Sequence, residues 1–258
     1  MSYWQDRMAD SQAKLTKKSQ KQIEYQMKKY YASAMKNVIA EFEATYNKLL
    51  STIEQGKTAT PADLYKLGKY WQLQGQMQAE LQKLGDRQIR ALAKVFEANF
   101  FEIYYSIGID GLEAFNTLDV ATVRQMINQI WVADGKSWSN RVWDNTKKLA
   151  ETLNEELISC VATGKKTSDL KAKLQDRFNV SYSAADSLAR TELAQVQTQA
   201  AKKRYEDYGI QYVQVWGDED ERRCPICAKL HQKKYPVNAA LPIPAHPRCR
   251  CCIVPVVE

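Results

Sequence analysis

Between Pro61 and Pro225 the chain has no proline, and after Gly217 it has no glycine. The first absence removes the strongest helix breaker from residues 62–224, so that long stretch is free to be helical. The second, with six of the seven prolines crowded into 225–255, marks the C-terminus as a separate, stiffer regime. Histidine is scarce: only His231 and His246 are present, which leaves no material for a multi-histidine centre. Cysteine is nearly absent from the body, where Cys160 stands alone and reads as a small buried apolar residue. No apolar run approaches the roughly 20 residues that span a bilayer. Met1 to Asp10 lack the basic, apolar and small-residue order of a signal peptide, so the chain is expected to stay in the compartment where it is made, with no membrane partner.

What is present is ordinary globular composition, 45% hydrophobic and 26% charged, which excludes a fibrous or disordered class. The net charge of +7 is unevenly spread: residues 1–60 carry ten Lys/Arg against six Asp/Glu, residues 61–200 are balanced at seventeen each, and residues 201–258 carry ten against seven. Such an excess serves solubility first. Acidic proteins and the nucleic-acid backbone are the partners it would attract.

Apolar spacing of three and four predicts a first helix over about 3–50, with Ile23, Met27, Tyr30, Ala34, Val38, Phe42, Tyr46 and Leu49 as its inward stripe. Gly56 and Thr60–Pro61 break it, with Thr60 as N-cap and Pro61 in the first turn of a second helix. That helix carries Leu64, Leu67, Trp71, Met77, Leu81, Leu84, Leu92, Phe96, Phe100 and Ile103, with Gly85–Asp86 a candidate interruption and Gly108–Gly111 a break. Helical pattern resumes over about 119–161 with a turn near 134–139, and Gly164 ends it. A short helix over 169–178, a turn at Asn179–Ser181 and a last helix over 183–208 closed by Gly209 follow. From Gln211 to Trp216 the period becomes two, as in a strand; Ile253–Val257 is a second strand that Pro255 restricts to an edge. The expected fold is mainly α: an elongated helical hairpin or bundle with a small C-terminal α+β zinc-binding module. The expected division is an N-terminal helical arm over 1–115 and a second domain over 116–258, with helices to 208 and the module over 211–258.

Five of the six cysteines fall in the last thirty-five residues as Cys224-x2-Cys227-x18-His246-x2-Cys249-x-Cys251-Cys252. A Cys-x2-Cys pair sets two sulfurs on one tight turn, and a second pair from a distant loop closes a tetrahedral site. One structural Zn²⁺ held by Cys224, Cys227, His246 and either Cys249 or Cys251 is the reading. His231 is an alternative to His246. A redox dithiol would sit at the strand-to-helix junction of a βαβ unit, which the pattern does not supply, and disulfides are disfavoured in a reducing compartment. Catalytic zinc needs an open position and a nearby base, whereas this cluster offers more than four ligands. Arg222, Arg223, Arg248 and Arg250 flank the thiolates; they either offset the −1 charge of a Cys3His zinc or contact phosphate, DNA included.

On the last helix Leu188, Glu192, Val196 and Ala200 share a face, so Glu192 sits within an apolar stripe, while Asp186 and Arg190 pair at i,i+4. Glu192 is expected to receive an arginine or backbone donors from the terminal module, and Arg190, Thr191 and Glu192 together form its docking site.

Three stretches, Ala189-Arg190-Thr191-Glu192, Val215-Trp216 with Asp218 to Cys227, and Pro244-Ala245-His246-Pro247-Arg248-Cys249-Arg250-Cys251, make the chain resemble the Mu F-like minor head, or head-morphogenesis, proteins of tailed phages over about 131–257. The resemblance implies a minor capsid protein: a non-enzymatic virion component in few copies, with no small-molecule substrate. It implies association with the portal protein during head assembly in the host cytoplasm, a place inside the capsid at the portal vertex, major capsid or scaffolding protein as further partners, and a role in DNA packaging or ejection. Some longer relatives carry C-terminal toxin or enzyme domains; with the sequence ending at Glu258, none is expected here. The rival function is a zinc-containing nucleic-acid-binding protein acting on phage DNA. A metal-dependent hydrolase lacks a carboxylate-rich site.

Overall fold

The computed structural model describes residues 3–53, 69–109, 111, 116–163, 165–217 and 223–257. The expected breaks at Gly56 and Thr60–Pro61, the stripe residues Leu64 and Leu67, the stop at Gly164 and the candidate contact Arg222 lie outside them. Among the described residues the elements are α1 (Tyr3–Ile53), α2 (Lys69–Ser106), α3 (Val120–Ile127), α4 (Trp138–Ala162), α5 (Thr167–Asp207), β1 (Tyr212–Trp216), α6 (Pro225–Leu230), β2 (Lys234–Pro236) and β3 (Cys252–Pro255). The protein is mainly α with a small C-terminal sheet.

Two sequence expectations are corrected. Gly85–Asp86 does not interrupt α2, and Asn179–Ser181 does not divide the last helix: α5 runs unbroken from Thr167 to Asp207. In each case packing overrides a weak local signal. Asn and Ser cost a helix a few tenths of a kcal/mol each, while Phe178, Ala185 and Leu174 on the same helix are buried and each large apolar side chain gains about 1.5–3 kcal/mol. The expected stop after α5 holds. Gly209 adopts φ 73°, and the amides of Gly209 and Ile210 donate to the carbonyls of Glu206 and Tyr205 at 2.9 and 3.0 Å, a glycine-terminated Schellman end.

The chain forms two compact units, each drawn from both sides of residue 115. One comprises 25–90 and 139–185, the other 1–24, 91–138 and 186–258. The first is all helix. Its core joins Val38, Phe42 and Tyr46 of α1, Met77, Leu81 and Leu84 of α2, Leu149, Leu153 and Leu157 of α4, and Leu170, Leu174 and Phe178 of α5; the α1 and α2 members belong to the three-and-four stripes read from sequence, whereas Trp71 of the second stripe is 68% exposed. Gly85 permits close approach of α4, since a Cβ there would stand 2.7–2.9 Å from two ring carbons of Trp143 and nearer a third. Glu156, nearly buried, is held by Lys173 at 2.6 Å and Arg177 at 2.5 Å. Its pKa is lowered chiefly by the Lys173 hydrogen bond.

The second unit contains the sheet, whose order β2-β1-β3 is antiparallel throughout. In β1 Val213 and Val215 are fully buried while Tyr212 is half exposed, the period of two that its sequence shows. Pro255 lies in β3, an edge strand as expected. The three-residue strand β2 has no signature of its own in the sequence. The outer edge of β3 is not open, because the Ile253 carbonyl accepts from Gln12 at 3.0 Å and from Tyr205 at 3.1 Å. Side chains of α1 and α5 thus cap a backbone acceptor that would otherwise be available to another strand.

Candidate metal centre

Cys224 is the N-cap of α6. Its sulfur accepts the Cys227 amide at 3.3 Å, with Pro225 in the first turn. This turn is what the Cys-x2-Cys spacing encodes: the capping position and the third helical residue face the same side. The other donors arrive on the irregular segment between β2 and β3. There Arg248 takes the left-handed φ of 61°, and the Cys249 amide donates to the His246 carbonyl at 3.1 Å, so His246-Pro247-Arg248-Cys249 folds back on itself.

Five donors meet in two groups that share Cys227: Cys224, Cys227 and His246 in one, Cys227, Cys249 and Cys251 in the other, each with its donor atoms within 4.8 Å of one another. Cys227, Cys249 and Cys251 are buried, and none of the cysteines is in a disulfide. His246 Nε2 lies 3.1 Å from the sulfurs of both Cys224 and Cys227, and the sulfurs of Cys227 and Cys249 are 3.7 Å apart. His246 Nδ1 sits 2.8 Å from the Pro247 carbonyl. A carbonyl only accepts, so Nδ1 carries the proton and Nε2 presents its lone pair to the two sulfurs, as a metal-ligating histidine does.

The fit to a tetrahedral ion is tested by these distances. With metal–sulfur bonds of about 2.3 Å and metal–nitrogen bonds of about 2.0–2.1 Å, sulfur pairs lie about 3.8 Å apart and sulfur–nitrogen pairs about 3.6 Å. The Cys227–Cys249 pair already has that separation. The imidazole stands roughly half an ångström too close, a shift that a side-chain rotation supplies. The residues fit a metal ion.

The electrostatics reinforce the clustering. Hydrogen bonding from Cys251 lowers the Cys249 pKa to about 5 and raises that of Cys251. Burial, first of all, pushes Cys227 up to about 12. The Cys227 amide lowers Cys224, and the Pro247 carbonyl raises His246. Buried sulfurs gathered this closely form a soft donor set that a cation can occupy.

His231 is placed elsewhere. It packs on Trp216 with ring centroids 4.9 Å apart, and its Nδ1 accepts the Gly217 amide at 3.2 Å, which makes it a prop for the end of β1. Arg223 lies against Gly217. Arg250 lines a groove with Lys14 and Lys17 of α1.

Arg248, although half exposed, reaches α5. Its guanidinium is 3.0 Å from Asp186, and its amide donates to Thr191 Oγ1 at 3.0 Å. Asp186 is also gripped by Arg190 Nε at 2.9 and 3.0 Å, and Arg190 reaches Glu24 of α1 at 3.3 Å. Thr191 and Arg190 therefore touch the turn that carries the ligands or the residue that holds it. Glu192 has a partner that the sequence did not point to. Its Oε2 accepts the indole N–H of Trp131 at 2.8 Å, a donor from the segment before α4. Sequence reasoning paired Asp186 with Arg190 but missed Asp186 as the acceptor for Arg248, 62 residues away. No spacing rule reaches across that distance. Trp131 and the Gln12–Tyr205 clamp on Ile253 were missed for the same reason.

Residues 151–254 match the family described as Phage Mu protein F like protein. A curated relative, the NAD(+)--arginine ADP-ribosyltransferase EFV of Enterococcus faecalis, is 23% identical over 191 residues, covering 64% of this chain and 38% of that protein. The chain thus spans about two fifths of the length of the curated relative it matches. No solved structure matches the chain.

Proposed function

From the match of residues 151–254 to the Phage Mu protein F like family, we propose that this chain is a non-enzymatic minor head protein of a tailed phage. In this reading it joins the portal protein during assembly and resides in the virion. Its C-terminal module is a structural zinc clamp. Cys224, Cys227 and His246 with one further thiolate would hold the ion, and the ion would supply cross-linking of α6 to the turn before β3.

The observation that carries this reading is where the ligand turn is tied. Arg248 stands between His246 and Cys249 and is bound by both backbone and side chain to Thr191 and Asp186. A site so anchored staples a terminus to a long helix. Catalysis would instead call for an open coordination position flanked by a base, and the surplus of thiols around Cys227 favours a closed centre.

Pull-down of tagged portal protein from infected cells, with procapsids analysed by mass spectrometry, tests the assembly role. Recovery of this chain in both is expected; its absence from both would overturn the proposal. Contact with phage DNA is a second reading, favoured by the groove shared by Lys14, Lys17 and Arg250, although Asp10 in the same groove reduces its charge. With three cations in play, log affinity would fall with log salt at a slope of roughly −2 to −3. No binding at low salt removes this reading.

A further inference from the structure

A groove of about 660 Å³ lies along α5, with no cysteine or histidine among the described residues that line it. Its volume is that of a site able to bury a ligand. Independently of the assembly reading above, we infer that it seats an uncharged, extended peptide segment of a partner protein, about five residues long. Alternate residues of that segment pair with the side-chain amides of Gln195 and Gln199.

Gln195, Gln199, Lys202 and Glu206 follow one another at three and four on α5, so they share one face, and all four line the groove. The charges there are already engaged. Lys202 donates to the Ala239 carbonyl at 3.0 Å and stands 4.0 Å from Glu206, and neighbouring Lys203 is held by Asp207 at 2.6 Å. Each lysine has its carboxylate, which leaves no surplus charge to attract an ion or a phosphate backbone. The amides are the opposite case. Among the described residues neither Gln195 nor Gln199 makes a side-chain hydrogen bond, and Gln199 Oε1 is buried without a donor. An amide oxygen so placed costs free energy until a donor reaches it. With nothing holding the amide, its terminal torsion turns at little cost and presents either end to the groove.

Spacing selects the occupant. Four residues of helix rise about 6.0 Å, and an extended chain turns the N–H and C=O of every second residue to one side, about every 6.6–6.8 Å. A glutamine amide carries both a donor and an acceptor, so two of them at this interval match two such residues. From Gln195 to Glu206 α5 rises about 16.5 Å, the span of about five extended residues. Most of the remaining lining is apolar: Ile130 and Trp131 from the segment after α3, and Leu241, Pro242 and Pro244 from the segment between β2 and β3. Ile130 is 57% exposed, apolar area that a bound side chain would cover. The prolines fix their own φ, so that wall needs little ordering when the segment binds.

The test is a randomised library of end-blocked peptides about five residues long, selected on the full chain and in parallel on the double variant Gln195→Ala/Gln199→Ala. Sequences enriched on the unsubstituted protein alone are expected, and they should lack Asp, Glu, Lys and Arg. A synthetic peptide of the most enriched sequence should shift the side-chain amide signals of Gln195 and Gln199 in NMR spectra. It should bind the double variant about 25-fold more weakly, at about fivefold for each amide lost. Ile130→Glu, a change at an exposed position, should abolish binding with circular dichroism and Tm unchanged, and it takes the place of the double variant should that one not fold. No sequence enriched over the variant, an enriched set rich in charged residues, or equal affinity for both proteins would overturn the inference.

Discussion

Replacing Asp186 with asparagine tests how the terminal module is held on α5. The carboxylate side chain is 10% exposed and receives two arginines. Arg190 is an i,i+4 neighbour, a pair worth about 0.3–0.5 kcal/mol, and it keeps Glu24 at 3.3 Å after the change. Arg248 makes a long-range charged hydrogen bond, a class worth about 1.5–3 kcal/mol. Its side chain is 51% exposed, and water screening brings that down to about 1 kcal/mol. The asparagine retains one acceptor oxygen, so the expected loss is about 1–2 kcal/mol, a fall in Tm of roughly 2–8 °C for a chain of this size. The decisive measurement is a double-mutant cycle in urea with Arg248→Gln, evaluated on the transition that metal removal also affects. A coupling energy of about 0.5–1 kcal/mol is expected for two groups in direct contact. Additivity within about 0.3 kcal/mol would refute the claim that this pair secures the module.

Gly85→Ala should destabilise the helical unit by about 1–3 kcal/mol, because overpacking against the Trp143 ring outweighs the gain of about 1 kcal/mol in helix propensity; an unchanged or higher Tm would show that the ring moves aside. Glu156→Gln should cost stability at neutral pH but not in acid. The folded-state pKa of Glu156 is depressed, with the Lys173 hydrogen bond the largest cause and Arg177 adding to it, so its contribution is present above the ordinary glutamate range and lost as pH falls through the lowered value. Parallel urea curves for the two proteins from pH 7 down to pH 3 should converge, and a constant gap would contradict the assignment. Stripping metal with a chelator should abolish the environment of Trp216, whose neighbours Cys252 and Val254 begin where the ligand turn ends, yet leave most helical circular dichroism, since the core of the helical unit contains only Cys160 among the cysteines. Loss of all helix on chelation would place the metal under the whole fold.

Much of this protein was legible in one dimension. The helical stripes predicted Phe42, Tyr46, Met77, Leu81 and Leu84 as core, because burial of one face every 3.6 residues leaves a local record. The alternation of β1, the edge position of Pro255 and the glycine stop at Gly209 are local as well. So is the Cys-x2-Cys turn, where a capping sulfur and an amide three residues on define the geometry by themselves. The unbroken α5 was not legible, because its continuity through Asn179–Ser181 is decided by what Leu174, Phe178 and Ala185 pack against.

Sequence alone therefore determined the helical class, the terminal cluster of cysteines and histidine that could hold a metal and the likeness to Mu F-like head proteins, since each is written in periodicity or in short spacings. The tertiary structure decided which groups meet across long separations. Asp186 receives Arg248, Trp131 satisfies Glu192, and Gln12 with Tyr205 closes the edge of β3 at Ile253. It also set the Cys249 sulfur 3.7 Å from that of Cys227 and the Cys251 sulfur beside Gly217. The course of the backbone through Arg248 is likewise fixed by contacts with a helix some sixty residues earlier, a separation that no local spacing records.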